Sequence, residues 1–105
     1  QTPTDPYTGK IETDEFEEQV KVALNNLKHA VEEAGSCLEN IAKTNILLPD
    51  KTKYSAFRKL EGDFYTKYAP SLCTEPPAST FICPFNLASP KMQIEIEAFA
   101  YRASY

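Results

Sequence analysis

Apolar side chains at Phe16, Val20, Ala23, Leu24, Leu27, Val31 and Ala34 recur at three- and four-residue steps, which predicts an amphipathic helix over 14–34. Asp14 with Glu17 forms a capping-box start, Thr13 is the competing cap, and Gly35 follows the last apolar position as a left-handed C-cap. Ser36 and Glu39 repeat the capping pattern, so 37–40 is a short helical turn. The period then drops to two. Ala42, Thr44, Ile46 and Leu48 alternate with Lys43, Asn45 and Leu47, a strand that ends at Pro49-Asp50. A second helix over 53–68 carries Tyr54, Phe57, Leu60, Phe64, Tyr65 and Tyr68 and stops before Pro70. Residues 69–78, with Pro70, Pro76 and Pro77, read as a stiff loop, and the opening QTPTDPYTGKI reads as a loop with extended pieces. Residues 80–83 make a short, buried-looking strand broken by Pro84. In the last strand, 92–101, Met92, Ile94, Ile96, Ala98 and Ala100 share one face, and Gln93, Glu95, Glu97, Phe99 and Tyr101 the other.

The order helix, strand, helix, strand, strand predicts an α+β fold: a small sheet with two helices on one face. The step from strand 42–48 through the helix to strand 80–83 fits a parallel crossover. Three strands leave two open edges, which pairing within the chain or an oligomer has to cover.

The chain has 105 residues, enough for one domain, and its 42% hydrophobic content with six Phe and six Tyr supplies a core. The formal net charge of -4 argues against a general nucleic-acid surface, since phosphate binding needs clustered Lys and Arg. Cys37, Cys73 and Cys83 are odd in number and lack CxxC spacing, which favours a reducing, cytoplasmic compartment over a disulfide framework. Cys83, beside Phe81 and Ile82, reads as a packed thiol. With His29 as the one histidine, soft ligands are too few for zinc. No apolar run approaches a membrane span, and no signal peptide is visible. The chain opens on Gln1 rather than Met, so a segment before it is expected, and a mitochondrial leader there stays open.

Three strings taken in order resemble the reactive intermediate deaminase (Rid, YjgF-like) family. QTPTDPYTGKI looks like its G-Q-x-P-x-x-P-x-T-G loop, entered at the Gln. The block QVKVALNNLKHAVEEAGSCLENIAKTNILLPD is similar to its helix–turn–strand unit, and QIEIEAFA to its terminal strand. The resemblance implies a chorismate-mutase-like domain, a homotrimer, and small carboxylate-bearing ligands in clefts between subunits. It also implies hydrolysis of enamines and imines to 2-keto acids without metal or cofactor.

Two departures from the family pattern bear on activity. The family's opening β-hairpin, with a pocket Tyr and a Ser-Gly, has no counterpart here. The family string P-A-R-S, whose Arg clamps the substrate carboxylate, is matched by Pro77-Ala78-Ser79-Thr80, with Ser79 at the Arg. A serine does not replace a bidentate, permanently charged guanidinium, so an arginine at 79 is expected to raise the rate. The resemblance assigns the water-orienting acid to Glu95; by spacing alone Glu95 and Glu97 are equally a solvated strand face. Ser79 and Thr80 are candidate ligand donors, against the reading of a plain strand start. Arg58, where relatives often carry an Asn, is a candidate cation, against the reading of a solvated helix flank. Two functions stay open: a deaminase weakened by loss of its arginine, or a non-catalytic ligand-binding or regulatory member. The endoribonuclease activity often ascribed to the family fits poorly with an acidic chain that has one His and no basic groove.

Overall fold

The computed structural model describes residues 1–102. Helix α1 spans Phe16–Glu33 and buries Val20, Ala23, Leu24, Leu27 and Val31, the stripe read from the sequence. Its start differs from the capping box. The N-cap is Glu15, which makes no side-chain cap bond, and Thr13 Oγ1 instead accepts from Glu15 N at 3.0 Å. Its end is as expected. Gly35, at φ 82°, donates to Glu32 O, and Ser36 N donates to Val31 O, which closes the last turn in a Schellman pair.

A 3-10 turn at Leu38–Asn40 leads into strand β1, Ile41–Leu47. Asp50 accepts from Thr52 N at 3.0 Å and Thr52 Oγ1 at 2.6 Å, fixing a second 3-10 turn that feeds α2, Tyr54–Tyr68. The loop that follows holds an unforeseen short helix α3, Ser71–Thr74, which seats Leu72 in the core. Strands β2, Ala78–Ile82, and β3, Glu95–Ala100, complete a three-stranded sheet in the order β2-β1-β3. The β1–β2 pair is parallel, as the crossover required, and β1–β3 is antiparallel with an irregularity between Ile41 and Lys43.

One face of the sheet meets the helices. Ile46, Ile94 and Ile96 pack there with Leu24, Val20 and Phe57, all at most 1% exposed. Each such side chain contributes about 1.5–3 kcal/mol by leaving water. A buried amide locks this packing. Gln19 Nε2 donates to Thr13 O and Lys91 O, both at 2.9 Å, and its Oε1 accepts from Gln93 N at 2.9 Å. The head of α1 is thereby tied to the segment that launches β3. Asn26 similarly holds the opening loop by donating to Thr2 O and Thr4 O. At the outer edge of β3, Ile96 N donates to Gln1 O at 2.8 Å and the Gln1 backbone nitrogen donates back to Ile96 O.

Two expectations fail at β2. Cys83 falls beyond the strand and is exposed, its Sγ against Pro49 O at 3.3 Å, and Ile82 is 42% exposed. The strand lies at the sheet edge, so only alternate residues reach the helices. Among the described residues, no helix is long and apolar enough to cross a membrane.

Candidate functional site

The face of the sheet away from the helices is open, and strand alternation decides what stands on it. The pairing register gives three cross-strand rows: Ile82–Leu47–Glu95, Thr80–Asn45–Glu97 and Ala78–Lys43–Phe99. Glu95 is half-buried there and Glu97 is exposed. Lys43 reaches along the sheet and its Nζ donates to Thr80 Oγ1. The Gln1 backbone sits beside β3 at the acidic end of this face, where its carbonyl accepts from Ile96 N.

Of the residues singled out from sequence, Glu95 and Thr80 share this open face and the other two do not. Ser79 points to the helix side, where its Oγ accepts from Thr44 Oγ1 at 3.0 Å. Arg58 is on that side as well: its guanidinium carbon lies 4.5 Å from the Phe81 ring centroid, and Nη1 donates to Glu61 Oε1 at 2.6 Å. Ser79 and Arg58 therefore belong to one pocket with Glu61 and Thr44, separated from Glu95 by the thickness of the sheet. On the open side the β2 positions are Ala78 and Thr80, with Ile82 further along. Lys43 escaped the reading of the sequence, although the same alternation that paired Glu95 with Glu97 puts Lys43 level with Asn45 and Leu47.

The electrostatics of the two sides differ. The open face carries two carboxylates and a lysine close to water. On the helix side, burial raises the Glu61 carboxyl above its ordinary value while the Arg58 guanidinium pulls it down. Burial, reinforced by Glu61, pushes the Tyr65 phenol well up.

The family profile described as Endoribonuclease L-PSP matches residues 1–102. The chain belongs to this family, which is the Rid, YjgF-like family. A RutC family protein of Pyrococcus abyssi is 30% identical over 71 residues, 68% of this chain and 56% of that protein. A 2-iminobutanoate/2-iminopropanoate deaminase of Salmonella typhimurium is 32% identical over 103 residues, 97% of this chain and 75% of the enzyme. The crystal structure of the Escherichia coli YjgF gene product superposes with a TM-score of 0.84 at 28% identity, covering 98% of this chain and 76% of that one. The chain thus spans little more than half of the first of these L-PSP relatives and about three quarters of the other two.

Proposed function

We propose that this chain is a Rid-type protein that binds a small carbonyl- or imine-bearing ligand on the open sheet face around Glu95, in a cleft completed by a second copy of the chain. The observation that carries this reading is the half-buried Glu95 on an uncovered face, with a hydroxyl and an ammonium, Thr80 and Lys43, rising from the neighbouring strands. A carboxylate so placed takes a proton from water as the water oxygen bonds to the imine carbon and the C=N π pair moves onto nitrogen; the resulting carboxylic acid returns that proton to the nitrogen, and the hydroxyl proton then passes to nitrogen as the C–N bond breaks and the carbonyl forms, releasing ammonia and a 2-keto acid. The family match and the deaminase-named relatives support that chemistry.

The positive charge available on the strands of this face is Lys43. An ammonium is a point charge and does not hold a carboxylate in two parallel hydrogen bonds as a guanidinium does. Ala78 and Thr80, the β2 residues facing the same way, add one hydroxyl. The expected outcome is imine hydrolysis well below that of an arginine-bearing relative. A ligand-binding member without turnover is the second reading, favoured by the same shortage of charge.

The exposed apolar residues of this face, Ile82 and Phe99 at 42% and 60%, need a cover, and the family resemblance supports a trimer. The test of function is release of 2-ketobutanoate from an amino-acid oxidase mixture, with wild type and Glu95→Gln. Activity that Glu95→Gln abolishes supports the assignment. Equal rates in the two proteins overturn it.

A further inference from the structure

The charges on the open face are unevenly placed. Glu95 shares its row with Leu47 and Ile82, so its cross-strand neighbours are aliphatic. Lys43 starts two rows away, about 13 Å along β1 at the usual strand rise. Its Nζ is held by Thr80 Oγ1, in the row of Asn45 and Glu97, and so stops short of Glu95. Both arginines of the chain lie elsewhere. Arg58 is bonded to Glu61 on the helix side, and the Arg102 guanidinium lies against Gly35 at the end of α1. Among the described residues, no ion pair includes Glu95 or Glu97.

The strands therefore present two carboxylates and one ammonium on this face, a net negative charge. A ligand carboxylate set beside Glu95 meets a second like charge at Glu97, about 7 Å along β3, and finds no donor in its row to replace the water it gives up. A ligand cation meets the opposite: an ionised partner at Glu95 and another one row on. An aliphatic chain rests on Leu47, half-buried, and Ile82, 42% exposed. A further copy of the chain, at a net charge of -4, adds more negative than positive charge to whatever it covers.

We propose, resting on the reading of Glu95 as the water-activating group, that this face takes a carboxylate-free cation: the iminium ion of a short aliphatic amine. Glu95 takes a proton from water as the oxygen bonds to the iminium carbon and the C=N π pair moves onto nitrogen. The Glu95 acid returns that proton to nitrogen. The hydroxyl proton then passes to Glu95 as the carbonyl forms and the C–N bond breaks, and from Glu95 to the departing ammonia, leaving an aldehyde and ammonium. Such iminium ions arise when a primary amine loses a hydride, so the supplying reaction is the oxidation of an amine.

The experiment titrates the 15N-labelled chain at low ionic strength with 2-methylpropylammonium and with 2-methylpropanoate, stable probes with one carbon skeleton and opposite charge. Saturable shifts at the Leu47, Ile82 and Glu95 amides with the ammonium, and at least tenfold weaker binding of the carboxylate, are expected; added salt narrows the gap. Glu97→Lys, at an exposed position, is expected to invert the preference. Equal binding of the two probes, no response of these amides at millimolar ammonium, or a preference that Glu97→Lys leaves unchanged overturns the proposal. Turnover is read separately, as aldehyde release from 2-methylpropylamine with a flavin amine oxidase and keto-acid release from valine with an amino-acid oxidase, in wild type and Glu95→Gln. A charge preference without Glu95-dependent turnover keeps the ligand class and removes the deaminase reading. Glu95-dependent release that is as fast from the valine imine keeps the deaminase reading and overturns the ligand class.

Discussion

Ser79 and Glu95 stand on opposite faces of one sheet: Ser79 bonds Thr44 on the helix side, and Glu95, in register with Leu47, opens to the other. Ser79 follows Ala78 and precedes Thr80 in a regular strand, so its neighbours face Glu95's side and it does not. Within one chain this parity sets an arginine at 79 on the side away from Glu95.

An arginine is predicted to work at 78. Ala78 is exposed on the open face in the row of Lys43 and Phe99. Ala78→Arg is expected to raise 2-iminobutanoate hydrolysis roughly tenfold, the yield of about 1.5 kcal/mol from one charge-assisted hydrogen bond in the transition state. Ser79→Arg is expected to give no gain, because it drives a second cation against Arg58. Keto-acid release from both variants decides it; a gain in Ser79→Arg alone would refute the face assignment.

Much of the fold was legible because period carries burial. The α1 stripe at Val20, Ala23, Leu24, Leu27 and Val31, the Gly35 stop and the inward set Ile94 and Ile96 all follow from spacing alone. What spacing does not carry is lateral order. Nothing in the string says that β1 lies between β2 and β3, and that order sets Thr80 and Glu97 in one row across Asn45. Family likeness and parity point to different positions in the proline-rich entry to β2, 79 and 78. A shift of one residue there transfers a side chain from one face to the other. Lys43 was missed for a different reason: a lysine on a strand reads as solvated until a partner such as Thr80 is seen beside it.

Ile96 lies at 1% exposure between α1 and the sheet. Ile96→Ala removes buried methyl groups and leaves a cavity, at an expected cost of about 2–5 kcal/mol. The urea midpoint should fall accordingly, with the slope unchanged. Phe99→Ala, on the open face of the same strand, should move the monomer's stability far less. Equal losses at the two positions would contradict the burial of one face only.

Phe99 and Ile82 are exposed apolar groups of the open face that the proposed trimer would cover. If the chain assembles as proposed, Phe99→Lys is expected to shift it to monomer in light scattering at micromolar concentration, since a buried unpaired ammonium is costly. Thermal unfolding should then lose its concentration dependence. A wild-type chain that already runs as a monomer counts against the assembly.

Glu61 gives a pH test of the helix-side pocket. Two effects oppose each other at this carboxyl: burial raises its pKa, and Arg58 at 2.6 Å lowers it, with burial prevailing so that the carboxyl stands above its ordinary 4.5. The folded chain therefore holds a proton on Glu61 at pH values where the unfolded chain has lost it. Stability falls with rising pH wherever the folded state binds more protons, so Glu61 withdraws stability as pH climbs from 4.5 through the raised folded pKa. Glu61→Gln does not titrate and escapes this loss. Subtracting the two urea curves cancels the other carboxylates to a first approximation. The expected result is that the stability of Glu61→Gln relative to wild type increases between pH 4 and pH 7. A difference that shrinks over that interval would mean that the pairing with Arg58 outweighs burial and that the pocket is wetter than its geometry implies.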